Sequence, residues 1–230
     1  MTPVQICNLA LAKIGENPDI TSVTGTDTSV HGLYASLFYP QAMAVMLDAH
    51  VWSFATITVA LTQATNSNPF WQYAYTPPSD FFGVTMLLDP DFLAAQQLPN
   101  GANFSLENGL IYSNTNNAVL VYTSNLAANA PYPTTGFNPL FIEALCTWLA
   151  AHFAGALIKG AEGAAAFQSY SRIFQAALAS AMESDAQYRK VRPAYVPLAA
   201  RARWGVSVVP GLQAGESWQA LGPVGGNNVV

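Results

Sequence analysis

Few residues in this chain could do covalent or metal chemistry, and their spacing works against it. His31, His50 and His152 are far apart, and neither Cys7 nor Cys146 has a CxxC partner, so no zinc-type ligand set forms in sequence. Both cysteines fall inside helical patterns and read as buried apolar thiols. A serine or cysteine nucleophile needs a base and an orienting acid, and no GxSxG elbow is present. Asp89-Pro90-Asp91 offers two carboxylates, the pair that glycoside hydrolysis uses on either side of a sugar bond. The same tripeptide is an ordinary solvated turn. Gly222, Gly225 and Gly226 neither follow a strand nor open a helix, which excludes a phosphate loop. No catalytic residue, metal or cofactor is expected.

The distribution of charge is more informative. Residues 1 to 158 hold nine acids and a single base, Lys13, whereas residues 159 to 230 hold four acids and seven bases. Arg189, Lys190, Arg192, Arg201 and Arg203 form a run without an acid, followed by prolines and glycines interleaved with Tyr195, Trp204 and Trp218. A disordered tail is poor in such aromatic groups, so residues 191–230 are expected to be an extended arm that docks elsewhere. Arg189, Lys190, Arg192, Tyr195, Arg201, Arg203, Trp204 and Trp218 are the expected partner-binding residues, with an acidic protein surface as the partner. Nucleic-acid binding through the same cluster is the competing reading, opposed by the net charge of -5 and the absence of a basic stripe on the body.

Charged residues make up 9% of the chain and hydrophobic ones 51%. A typical soluble domain carries roughly 25% charge, so this surface is expected to be covered by other subunits, and oligomerisation follows. The N-terminal residues lack the basic stretch of a secretory signal, and Ala144 to Ile158, interrupted by His152, is short for a bilayer span. No membrane segment is expected.

The elements that would carry these residues are an α+β set. Residues 1–55 read as N-terminal helices: Thr2, Pro3 and Gln5 form a capping box, Gly15 stops the first helix, and Ile6, Leu9, Ala10 and Lys13 share a stripe. A second helix from about Ser29 to His50 has Leu33, Leu37, Val45 and Met46 to bury, with Pro40 expected to kink or divide it. Residues 56–125 alternate like strands and read as an antiparallel β module of meander type, with an Asn108-Gly109 hairpin turn. Residues 137–190 return to the helical period, opened by Asn138 and Pro139. The resulting expectation is a helical bundle of N- and C-terminal helices, a central antiparallel β module and the C-terminal arm.

Several of these segments, in order, resemble a known family. They are Ile6-Cys7-Asn8-Leu9-Ala10-Leu11-Ala12-Lys13-Ile14-Gly15-Glu16, Ile20-Thr21-Ser22, and a helix closing in Trp52-Ser53-Phe54-Ala55. Trp71-Gln72-Tyr73-Ala74-Tyr75, Pro78-Ser79-Asp80, Glu107-Asn108-Gly109-Leu110-Ile111-Tyr112 and Val119 to Tyr122 follow. The series resembles the head-to-tail adaptor, or tail tubular protein A family, of short-tailed bacteriophages over most of residues 3 to 190. Pro40, the stretch from Asp89 to Pro99 and the Gly-rich end after Trp218 depart from it. The resemblance implies a non-enzymatic virion protein at the head-tail junction, assembled in the host cytoplasm. It further implies a ring of twelve copies that joins portal to tail nozzle, with the C-terminal arm on the portal, DNA passing unbound through the channel, and no membrane. A tail-associated polysaccharide-degrading or carbohydrate-binding module using Asp89 and Asp91 is the alternative.

Overall fold

The computed structural model describes residues 1–90, 101–125, 134 and 136–188. Among the described residues, four α-helices and two antiparallel sheets make the fold α+β. Helix α1 (Pro3–Lys13) begins with the expected capping box: the Thr2 hydroxyl accepts from the Gln5 N–H, and the Gln5 side chain accepts from the Thr2 N–H. Ile6 and Ala10 of the expected stripe lie in its buried face, with Pro3, Cys7 and Leu11, whereas Leu9 is exposed and Lys13 pairs with Glu143. Helix α2 (Val30–Ala49) starts from Ser29, whose hydroxyl accepts from the Gly32 N–H. It runs through Pro40 without division.

Helix α3 (Pro139–Leu157) opens at Asn138, whose side chain accepts from the Phe141 N–H at 2.5 Å. With 19 residues and a mean hydropathy of 1.6, it is by length and apolarity able to cross a membrane, contrary to the short stretch expected. Here it is instead the central helix, packed on α1, α2 and helix α4 (Ala161–Tyr188). Burial extends around it, through Phe141, Ala144, Leu145, Leu149, Ala150, Phe153 and Ala154, as a helix with apolar groups on all sides requires. Phe174 and Ala181 of α4, Ile6 and Leu11 of α1, and Tyr39, Met43 and Met46 of α2 complete this core.

A short 3-10 turn, Ser53–Ala55, leads from α2 into the β module. Its seven strands are β1 (Thr56–Ala60), β2 (Thr62–Ala64), β3 (Tyr73–Thr76), β4 (Phe81–Leu88), β5 (Phe104–Glu107), β6 (Leu110–Ser113) and β7 (Val119–Ser124). They form two sheets, ordered β1-β7-β4 and β2-β3-β6-β5, not the expected meander. Only β2-β3 and β5-β6 join sequence neighbours, the latter through Asn108 and Gly109 at φ 50° and 75°, the double positive φ of a type I' turn. Tyr75, Leu87, Ile111, Leu120 and Tyr122 fill a second core. Simple alternation along β4 would place Phe82, Val84, Met86 and Leu88 on one face. Register shifts at Phe81/Gly83 and Val84/Met86 break that alternation, so Phe81 and Val84 pack on the sheet core while Phe82 packs on the helical one.

Candidate interaction surface

The eight expected partner-binding residues, Arg189, Lys190, Arg192, Tyr195, Arg201, Arg203, Trp204 and Trp218, lie outside the described residues, as does Asp91. Asp89 is half-buried just after β4. The described histidines each sit in a separate local environment: His31 bonds Asp19 at 2.6 Å, His50 bonds Asp185 at 3.2 Å, and His152 lies among rings. Among the described residues, no three His, Cys, Asp or Glu side chains are placed to share a metal ion. Cys7 and Cys146 are buried free thiols. Burial, opposed by Lys13 and aided by Glu143, pushes the Cys146 thiol up to about 12, and burial also raises Cys7 strongly.

His50, Ser53 and Asp185 bring together the residue types of a hydrolytic triad, and their order shows why they are not one. The Ser53 hydroxyl donates to Asp185 Oδ1 at 2.5 Å, the Ser53 N–H donates to both carboxylate oxygens at 3.1 Å, and His50 Nε2 meets Oδ2 at 3.2 Å. The carboxylate therefore stands between hydroxyl and imidazole, whereas nucleophilic activation needs the imidazole against the hydroxyl. Asp185, 1% exposed in the last turn of α4, instead ties that turn to the 3-10 turn at the root of the β module. Separations of 132 and 135 residues left no trace of this junction in the sequence. Beside it opens a cleft of about 380 Å³, lined by Ser53, Gly136, Phe137, Asn138, Pro139, Asp185 and Tyr188.

Two other polar clusters are structural. Asp27 accepts from the Thr21 N–H and hydroxyl and from the Ser29 N–H, and these bonds, the Thr21 backbone first, hold its carboxyl far below the usual range. Asp80 accepts from the Tyr122 and Ser124 hydroxyls. Burial would raise the Asp80 carboxyl, but those two bonds together with a backbone hydrogen bond lower it, while burial, the hydrogen bond to Asp80 and the Asp80 charge push Tyr122 up to about 12.

What the fold leaves outside is apolar. Of the residues expected to be buried on α2, only Met46 is; Leu33, Leu37 and Val45 face outward, Leu37 at 66% exposure. The inner face of α2 is occupied by Gly32, Ala35, Tyr39, Ala42, Met43, Met46 and Leu47, because the small residues let α2 approach its neighbours closely. Gly32 allows no alternative: a Cβ there would meet the Asp27 carboxyl carbon at 2.3 Å. Val30, Leu33 and Leu37 then share one outward stripe at the i, i+3, i+7 spacing. On α4 Ile173 is exposed, on β5 Phe104 and Leu106, and in the β2-β3 loop Phe70 at 87%. No protein-family model matches this chain, and no curated protein matches it.

Proposed function

We propose that this chain is a structural assembly subunit whose exposed apolar faces are covered by neighbouring subunits. More specifically, it is a ring-forming head-to-tail adaptor of a short-tailed bacteriophage, joining portal to tail nozzle around the DNA channel. The observation that carries the first step is the outward stripe Val30, Leu33, Leu37 on a helix whose inner face is already filled, in a chain with only 9% charged residues. Scattered exposed leucines need no explanation, but a contiguous stripe of branched side chains does. The second step rests on the ordered series of segments between Ile6 and Tyr122 and on the α+β element order in which they fall. In this reading the four helices act as one bundle beside the channel, the β module faces the tail, and residues 191–230 form the arm that clasps the portal. At full extension 40 residues reach at most roughly 130 Å, enough to cross to an adjoining ring. A body with nine acids and one base before residue 159 has little with which to grip a passing polyanion.

The test is a deletion of residues 191–230. Both cores are built from residues before Tyr188, so the truncated body is expected to fold. Its failure to join the portal of its own virus supports the reading, and unimpaired joining overturns it.

A further inference from the structure

The four-stranded sheet ends in two open edges. In the order β2-β3-β6-β5, strands β2 and β5 each pair on one side only among the described residues. An unpaired edge presents a row of backbone N–H and C=O groups to any extended segment, and proteins guard such rows with charge, proline, a bulge or a covering element. Here the guard is thin. Neither strand contains proline, and both pair with their neighbours without a register shift. Residues 56–79, which include β2, carry no formal charge, and β5 carries only Glu107, at its hairpin end. That carboxylate is already engaged by the Ser105 hydroxyl and the Asn68 amide of its own copy.

The apolar core stops one strand short of the β5 edge. One transverse row of the sheet runs Gln63, Tyr75, Ile111, Leu106, each directly opposite the next and so on the same face. Tyr75 and Ile111 are fully buried in the second core, yet Leu106 at the end of the row is 49% exposed. Phe104, two residues away on the same face, is 38% exposed. What these two side chains lack is a cross-strand neighbour on their open side.

Strand direction restricts which strand of a second copy can supply it. Every pair in the sheet is antiparallel, so directions alternate along β2-β3-β6-β5, and β2 and β5 run opposite ways. A second copy's β2, laid beside β5 with the same face toward the core, therefore continues the antiparallel alternation. Leu106 and Phe104 then adjoin Gln63 of the neighbour, whose row leads on to that copy's buried Tyr75 and Ile111. Pairing β5 with β5 would close on two copies and leave each β2 open. Pairing β5 with β2 repeats from copy to copy, and full closure of such a series is the arrangement that leaves no edge.

We propose that β5 of one copy pairs antiparallel with β2 of the next, so that the four-stranded sheet runs on from subunit to subunit. The inference deepens the ring reading proposed above and rests on it for closure.

Disulfide trapping tests it. Ser105 of β5 and Thr62 and Ala64 of β2 share the outer face, opposite to Leu106 and Gln63, and Thr62 and Ala64 are the two positions that β2 can set against Ser105. Within one copy the two edges are separated by β3 and β6, three strand spacings or roughly 14 Å. A disulfide spans roughly 4.4–6.8 Å between Cα atoms, so a bond between these positions must join two copies. Cys7 and Cys146, the chain's two cysteines, are buried with raised thiol pKa values, so the engineered thiols react alone. Diamide oxidation at high protein concentration of Ser105→Cys mixed with Thr62→Cys or with Ala64→Cys is expected to give covalent dimers with one of the two, and the matching double variant a ladder of larger species. Leu106→Lys added to the Ser105→Cys chain, at a position already half in water, should leave Tm within about 2 °C and cut the dimer yield about tenfold. Leu106→Thr, uncharged and β-favouring, makes the same comparison should the lysine disturb the fold. Absence of a mixed dimer with both β2 variants, dimers from Ser105→Cys alone, or a mixed dimer indifferent to the Leu106 substitutions overturns the inference. None of these results touches the adaptor reading, which the deletion of residues 191–230 decides by portal joining.

Discussion

Replacing Asp185 by alanine removes the acceptor at the junction of α4 and the β module root. Hydrogen bonds to a charged group contribute about 1.5–3 kcal/mol each, and Asp185 accepts from the Ser53 N–H, the Ser53 hydroxyl and His50. Those contributions do not simply add. Ser53 is exposed and the His50 side chain is 21% exposed, so both recover water bonds once the carboxylate is gone. The loss should therefore be about 2–4 kcal/mol, toward the upper part of the ordinary range for single substitutions. For a unit of this size each kcal/mol moves Tm by roughly 2–4 °C, so Asp185→Ala should melt about 5–15 °C below the native chain. Asp185→Asn keeps an oxygen for Ser53 and offers an N–H to a neutral imidazole, and its cost should be near 1 kcal/mol. Calorimetric melting of the three proteins measures this directly. Should Asp185→Ala melt within about 2 °C of the native protein, the junction holds nothing and the argument from its geometry is refuted.

Other consequences concern packing, pH and surface. Gly163→Ala places a Cβ 2.0 Å from the Ile158 carbonyl oxygen, a backbone atom that cannot turn aside, so urea unfolding should show a loss of about 2–3 kcal/mol. Burial lowers the pKa of His152, which packs against Trp148, Phe38 and Phe167. The fold thus favours the neutral ring, and its stability contribution is fully present above the ordinary histidine value of about 6.5 and falls as pH drops through it. A His152→Phe chain should lose that slope between pH 7 and 5 in denaturant titrations, and an unchanged slope would assign it elsewhere. Leu33→Glu with Leu37→Glu, both on the outward stripe of α2, should leave Tm within about 1 °C while sedimentation shows self-association reduced.

The elements whose signals are local were legible in the sequence. Thr2-Pro3-x-Gln5, Asn138-Pro139 and Asn108-Gly109 each specify their own backbone through one or two short-range hydrogen bonds, and each forms as expected. Legibility fails where partners are distant or where both faces of an element are apolar. The meander expectation rested on short connections, yet β7 inserts between β1 and β4, a choice made by the shared core of Leu87, Leu120 and Tyr122. Helix α2 is apolar on both sides, with Val30, Leu33 and Leu37 on one and Ala35, Tyr39, Ala42, Met43 and Met46 on the other, and the aliphatic series suggested the wrong buried face. The cluster of His50 and Ser53 around buried Asp185 has no sequence signature at all. The β2-β3 loop has one: Asn66 and Asn68 are spaced for successive side-chain-capped turns on either side of Pro69.

The inversion of α2 bears most on what the chain does. Had Leu33, Leu37 and Val45 been buried as the sequence suggested, the helical core would have absorbed more of the apolar excess of a 51% hydrophobic chain, and α2 itself would call for no partner. Gly32, Ala35 and Ala42 take the inner face instead, and close approach there displaces the branched side chains outward. Folding thus leaves apolar surface on two separate modules, the α2 stripe on the helices and Phe70 on the β sheets. A neighbour that covers only one leaves the other in water, so an assembly that covers both must engage each copy at two distinct places. One double and one single substitution separate these contributions: if Leu33→Glu/Leu37→Glu and Phe70→Ser weaken self-association independently, their effects in the combined chain should add within about 0.5 kcal/mol, as distant sites do. Full loss from either one alone would mean that a single face carries the assembly.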